Sequence, residues 1–244
     1  MFTFLPALRY VYLPKLKEHF MSSLLSTKPR VLITGSARGL GLQIAQMLNG
    51  TYGLVLSSRL ERTEFEKAIF NSPVEFEDYL RLDFSEEPTD FVRSMETMRE
   101  VDVLIHNASP YTEEQFFNTS NADIIAFGKF SINSTLFIRN IKLTGLKKIL
   151  IIGSSSADPD FKAYAGGALY GTYKSSLQSL ARALIKETQL NMITINPGLI
   201  SNEDPCPDNA VSSSKVLETI RIALETTKHD RKIVPIYPSV QFLS

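Results

Sequence analysis

The sequence predicts a single doubly wound α/β domain built on a parallel sheet of about seven strands. Three observations carry this. Short apolar runs alternate with amphipathic stretches from Arg30 onward, a glycine-rich turn follows the first run, and 244 residues suffice to bury one sizeable core.

The strands come first. The runs 31–34, 53–57, 101–106, 148–153 and 192–196 are short, rich in Ile, Val and Leu, and show no strict alternation. That is the pattern of strands covered on both faces. A weaker run ends at Leu82, and a last strand is expected over 232–237. Between them, apolar residues recur at helical spacing over 40–48, 64–70, 88–98, 122–142, 169–187 and 214–227. No repeat or low-complexity tract interrupts this order. The expected division is an N-terminal extension over 1–28 and one domain over 29–244.

Composition narrows the function. Lys+Arg and Asp+Glu are both 26, so the formal net charge is zero and no global field draws the chain to nucleic acid or an anionic membrane. One cysteine, Cys206, cannot form an internal disulfide, which fits a reducing compartment, and the expected location is cytoplasmic. No stretch reaches the ~20 apolar residues that cross a bilayer. The segment 1–28 is aromatic and leucine-rich but broken by Pro6 and Pro14, and its basic residues follow the apolar ones. It reads as an extension rather than a secretory signal.

The glycine-rich turn is Thr34-Gly35-Ser36-Ala37-Arg38-Gly39-Leu40-Gly41, set between a buried strand and an amphipathic helix. Glycines at 35, 39 and 41 permit a tight turn, let backbone approach a phosphate and seat the helix close on the sheet. The helix N-terminus then presents free N–H groups and a positive dipole end to a pyrophosphate. The arrangement predicts a Rossmann-type dinucleotide site, with Gly35, Ser36, Arg38, Gly39, Leu40 and Gly41 as candidate contacts. At the end of the second strand, Ser58 stands where an enzyme selecting NAD(H) places an acid, and Arg59 follows. With Arg38 as a second cation, this predicts a preference for NADP(H) over NAD(H), since a guanidinium grips a phosphate through paired hydrogen bonds.

Tyr170-Gly171-Thr172-Tyr173-Lys174 places Tyr170 and Lys174 one helical turn apart. A phenol of ordinary pKa ~10 is a poor proton shuttle at neutral pH. A neighbouring ammonium is expected to lower it toward the working range of a general acid. A carbonyl under reduction also needs a donor beside the tyrosine. The serines 154–156, at the end of the fifth strand, supply candidates; strand alignment favours Ser154. His19, His106 and His229 lack metal-ligand spacing, so no metal is predicted. His106 ends a buried strand, where a structural hydrogen bond is expected. Cys206, flanked by Pro205 and Pro207, is expected to have no catalytic role.

These motifs, in this order, resemble the short-chain dehydrogenase/reductase family over roughly 30–200. The turn is similar to its T-G-x-x-x-G-x-G, and His106-Asn107-Ala108-Ser109 to its N-N-A-G, with His106 and Ser109 as departures. The resemblance implies that Asp83 meets the adenine, that Asn107 and Ala108 face the cofactor, and that Pro197, Gly198 and Ile200 meet the nicotinamide. It also implies a catalytic set of Asn133, Ser154, Tyr170 and Lys174. In that set Lys174 also holds the nicotinamide ribose and Asn133 supports a water relay. Ser154 stands sixteen residues before Tyr170, a longer gap than the family shows, so a short insertion is expected over 158–162.

The implied activity is hydride transfer between NADP(H) and a small-molecule carbonyl or imine: a 3-oxoacyl thioester, a pterin or a small ketone. The pterin reading rests on a weaker likeness of 106–109 to pteridine-reductase-like members. A non-catalytic NADPH-binding regulatory protein is the alternative, which loss of a catalytic residue would favour, and none is lost. A homo-oligomer, dimer or tetramer, is expected from the family. The ending Pro235-Ile236-Tyr237-Pro238 departs from the family's glycine pair.

Overall fold

The computed structural model describes residues 28–112, 114–141, 145–158, 167–188, 190–226 and 232–236. The expected extension, except its last residue Lys28, lies outside them. So do most of the expected insertion over 158–162 and the chain beyond Ile236.

Strand β1 (Arg30–Thr34) leads through the glycine turn into helix α1 (Gly39–Leu48). There follow β2 (Gly53–Ser58), α2 (Arg62–Ala68), β3 (Asp78–Arg81), α3 (Pro88–Ser94) and β4 (Val103–His106). The second half contains α4 (Asn121–Asn140), β5 (Lys148–Ile152), α5 (Ala168–Glu187) and β6 (Asn191–Pro197). A small ladder of β7 (Ile200–Ser201) with β8 (Val211–Ser212) precedes α6 (Ser213–Glu225) and β9 (Lys232–Ile236).

The seven long strands form one parallel sheet in the order β3-β2-β1-β4-β5-β6-β9. Alternate side chains of each strand enter opposite layers, as the pleat dictates. Val31, Ile33, Leu150, Ile152 and Ile195 pack with Ile44 and Ala45 of α1 and Val216 and Ile220 of α6. Leu32, Leu104, Ile149, Ile151 and Met192 pack on the other side with Phe91 of α3, Phe137 of α4 and Leu177 of α5. The chain winds from β1 to β3 on one side and restarts at β4 on the other. This switch point opens a crevice at the carboxyl ends of β1 and β4, where doubly wound sheets bind ligands.

Beyond small shifts at other element ends, three departures from expectation stand out. Helix α3 ends at Ser94 rather than 98, because the Ser94 hydroxyl donates to the Phe91 carbonyl at 2.7 Å and the chain continues in tighter three-residue turns. Helix α2 begins two residues early, at Arg62, where Glu61 and Glu64 form a reciprocal capping box. The β7–β8 ladder was not foreseen; two residues per strand leave no readable period.

Lys148 opens β5 and is buried, with its ammonium donating to the carbonyls of Ala223, Leu224 and Thr226 at 2.7, 2.6 and 2.9 Å. It caps the negative end of α6 against the sheet, although burial pushes its pKa down. Lys148→Met removes three charge-assisted bonds and leaves the carbonyls exposed to the core. It is expected to lower stability by about 2–3 kcal/mol, read as a fall of several degrees in thermal midpoint. An unchanged midpoint would show that the cap contributes nothing.

Candidate active site

The glycine turn is shaped by what cannot fit. Gly35 adopts φ +68°, and a Cβ there would lie 2.9 Å from the Ala108 Cα. A Cβ on Gly41 would run into the Gly35 carbonyl oxygen. Backbone therefore folds on backbone, and α1 begins with Arg38 as an N-cap that makes no side-chain cap bond, so its first N–H groups are open to an anion. Ser36 is fully buried. Its hydroxyl donates to the Ser57 carbonyl and accepts from the Ser57 N–H, both at 3.1 Å, so it pins the turn to β2.

The segment after β4 is tied to the same turn. Thr34 Oγ1 accepts the N–H groups of Asn107 and Ala108, each at 3.0 Å, and Asn107 Nδ2 donates to the carbonyls of Thr34 and Gly35 at 3.2 Å. At the far end of the crevice, Ser58 Oγ pairs with the Tyr79 hydroxyl at 2.8 Å and accepts from the Leu60 N–H. Arg38 and Arg59 are exposed, and neither makes an ion pair among the described residues. Asp83 accepts the N–H and hydroxyl of Ser85 at 2.9 and 2.6 Å, which fixes the turn that follows β3.

A cavity of about 600 Å³ lies at the carboxyl ends of β4, β5 and β6. Its walls include Leu40, Asn107, Ser109, Tyr111, Ser154, Tyr170, Lys174, Pro197, Gly198 and Ile200. Tyr170 and Lys174 come from the first turns of α5, and Ser154 from the end of β5. The hydroxyls of Ser154 and Ser109 lie near enough to the Tyr170 phenol to lower its pKa, and the Tyr111 ring meets the Tyr170 ring edge-on at 5.9 Å between centroids. Of the three serines, Ser154 is the one on the phenol; Ser155 is buried, and Ser156 donates its N–H back to Ser154 Oγ at 3.1 Å. Lys174 is buried; its ammonium donates to the Ile152 carbonyl at 2.8 Å and lies 5.5 Å from the Tyr170 ring centroid.

The electrostatics correct one expectation. Burial pushes the Tyr170 pKa up, and the hydroxyls of Ser154 and Ser109 offset this only in part. Lys174 is also desolvated and pushed down to about 7, so near neutrality it carries only part of a charge to stabilise a phenolate. At neutral pH the tyrosine is therefore a protonated donor rather than a poised phenolate.

Three of the four expected catalytic residues thus line one cavity. Asn133 does not: its Nδ2 donates to the carbonyls of Phe84 and Glu86 at 3.0 and 2.9 Å, while its buried Oδ1 has no hydrogen-bond partner among the described residues. Of the expected cofactor residues, Leu40, Asn107, Tyr170, Lys174, Pro197, Gly198 and Ile200 line the cavity; the others occupy the turn, the β2 and β3 ends and, for Ala108, the segment after β4. Ser109 and Tyr111 were missed. Ser109 carried a signal, since a hydroxyl replaces a glycine beside the cofactor segment; Tyr111 carried none. Among the described residues no group of three His, Cys, Asp or Glu could hold a metal, and no helix is long and apolar enough to cross a membrane.

Known proteins agree with this architecture. No curated protein gives a significant match. Solved structures do: an alcohol dehydrogenase from the archaeon Thermococcus sibiricus, complexed with 5-hydroxy-NADP, shares 21% identity at a TM-score of 0.66, covering 88% of this chain and 98% of its own. Escherichia coli serine dehydrogenase shares 19% at 0.68, covering 87% and 99%. A short chain dehydrogenase from Burkholderia cenocepacia, in complex with NADP, shares 18% at 0.64, covering 86% and 96%. Likeness at these identities is one of fold. The model of the short chain dehydrogenase family matches residues 29–203, which is most of the described domain. The chain belongs to the short-chain dehydrogenase/reductase family of oxidoreductases.

Proposed function

We propose that this chain is an NADP(H)-dependent reductase of a carbonyl or imine, with a 3-oxoacyl thioester, a pterin or a small ketone as substrate. The observation that carries the reading is that Tyr170, Ser154, Ser109 and Lys174 line one cavity that adjoins the glycine turn. The glycine turn fits a dinucleotide: it has no room for a side chain at Gly35 or Gly41, and the N–H groups of α1 are open. When bound, the nicotinamide supplies the hydride. Tyr170 donates its proton to the substrate heteroatom as the carbon accepts hydride, and Ser154 holds that heteroatom in place. Lys174, at about 7, can return a proton toward the phenolate and hold the ribose. Asn133 is assigned to the relay behind Lys174, a role open to its buried Oδ1, which has no hydrogen-bond partner among the described residues. Asp83 is assigned to the adenine, and Pro197 and Gly198 to the nicotinamide. Oxidation of NADPH, followed across dihydropterins, quinones, 3-oxoacyl thioesters and simple ketones, tests the reading. Turnover on one class identifies the substrate; silence on all, with tight coenzyme binding, would favour a regulatory protein.

The coenzyme preference rests on Arg59 and Arg38, both exposed and without ion-pair partners among the described residues, with no acid at the end of β2. A hydrogen bond to a charged group contributes roughly 1.5–3 kcal/mol. Arg59→Ala is therefore expected to weaken NADPH about tenfold to a hundredfold and to leave NADH unchanged, by titration of both coenzymes. Equal wild-type affinities, or an NADPH affinity indifferent to the substitution, would overturn the role given to Arg59.

A further inference from the structure

Behind the cavity, four side chains from four elements close a buried circuit with the Ala108 peptide. Thr34 ends β1, His106 ends β4, Ser134 lies within α4 and Tyr173 within α5, and none is more than 1% exposed. Thr34 Oγ1 lies 3.0 Å from His106 Nδ1, His106 Nε2 lies 3.2 Å from Ser134 Oγ, and Ser134 Oγ lies 3.2 Å from the Tyr173 hydroxyl. Tyr173 then donates to the Ala108 carbonyl at 3.2 Å, and the Ala108 N–H returns to Thr34.

The proton positions follow from the two ends. A carbonyl only accepts, so Tyr173 uses its one proton on Ala108 and must accept from Ser134. Ser134 has then given its proton and accepts from His106, whose Nε2 carries the hydrogen. At the other end, Thr34 already accepts two N–H groups, so its own proton goes to a bare His106 Nδ1. Both ends require the same neutral tautomer. Burial, with the nearby Lys174 charge, holds the imidazole down at about 3, so it stays neutral across the working range.

We propose that Thr34, His106, Ser134 and Tyr173 form a hydrogen-bonded strut that clamps the segment 107–109 to α5, making His106 and Tyr173 positioning residues for Tyr170. The segment carries Asn107 and Ser109 on the cavity wall that Tyr170 also lines, and the Ser109 hydroxyl lowers the Tyr170 pKa. Helix α5 carries Tyr170 itself. Tyr173 is only three residues on, so its bond to Ala108 sets the distance between the phenol and the wall opposite. Phe130 packs edge-on against the Tyr173 ring at 5.4 Å, which fixes the ring independently of its hydroxyl. This role in catalysis rests on the hydride-transfer reading; the strut itself does not.

The test uses Tyr173→Phe, which keeps the ring, and Ser134→Ala, alone and combined. In labelled wild-type protein, the His106 ring is expected to show a protonated Nε2 and a bare Nδ1 between pH 6 and 8. In Tyr173→Phe the Ala108 amide is expected to exchange with solvent about tenfold faster, with β5 amides unchanged. A protonated Nδ1, or unaltered Ala108 exchange, would overturn the strut whether or not a substrate is known. With a substrate, each single variant is expected to lower kcat about 3- to 10-fold, the worth of one neutral hydrogen bond. NADPH affinity should hold and the pH-rate limb set by Tyr170 should move. The double variant should lose no more than either single one. Faster Ala108 exchange with kcat and pH profile intact would overturn the positioning role and leave a structural one. Failure of the wild type to reduce any carbonyl would sink the hydride-transfer reading, and with it that role, but not the strut.

Discussion

Replacing Tyr170 with phenylalanine is expected to remove most turnover, by about 10²–10⁴-fold, while the affinity for NADPH stays within about twofold. The hydroxyl is the group lost, and it lies in the cavity beside the hydroxyls of Ser154 and Ser109. Burial raises its pKa, so at neutral pH it holds a proton ready to give. The ring remains to pack against Tyr111, which keeps the cavity wall in place. Steady-state kinetics with a separate coenzyme titration checks both halves. A variant that keeps more than about half of the wild-type kcat would remove Tyr170 from the chemistry.

The second large effect is expected at Lys174, and it has opposite signs for activity and stability. Lys174→Met removes the proton return path and the ribose contact, and kcat is expected to fall by about a hundredfold or more. Its stability should rise. The buried ammonium has its pKa pushed from 10.5 down to about 7, so between those values the unfolded chain binds a proton that the folded chain does not. Wild-type stability therefore rises with pH across that window, and the penalty is complete below about pH 7. The methionine variant lacks the penalty. It should melt higher than wild type at pH 6, with the gap narrowing as pH approaches 10, less the cost of an unpaired Ile152 carbonyl. Thermal melts of both proteins at pH 6, 8 and 10 decide it. A variant that melts lower at pH 6, or a gap that widens with pH, would contradict the assignment of burial as the cause.

What could be read from the sequence was local. The glycine turn, the four-residue spacing of Tyr170 and Lys174, and the apolar runs of the sheet each lie within a few residues, and the structure places them as expected. Ser154, Ser155 and Ser156 could not be separated, because the turn after β5 decides which hydroxyl meets the phenol. The strut joins residues 28, 39 and 72 positions apart, so no window along the chain contains it. His106 was expected to have a structural bond, and its partners became visible only when α4 and α5 packed against β4. The sign of the Tyr170 shift was misjudged for a similar reason. Spacing shows that an ammonium is near, but only the packed cavity shows that burial of both groups outweighs it. Asn133 was placed by motif, and its amide turned out to bind the carbonyls that follow β3.

The central claim is hydride transfer from a nicotinamide at this cavity, with Tyr170 as proton donor. It is tested most directly with NADPH deuterated at C4, prepared in both configurations, and the carbonyl or imine that is turned over fastest. The account predicts that one of the two coenzymes delivers a single deuterium to the former carbonyl or imine carbon of the product. It also predicts that the Tyr170→Phe enzyme, with coenzyme bound, delivers about a hundredth or less as much in the same time. A product free of deuterium with both coenzymes, or equal transfer by the two enzymes, would contradict it.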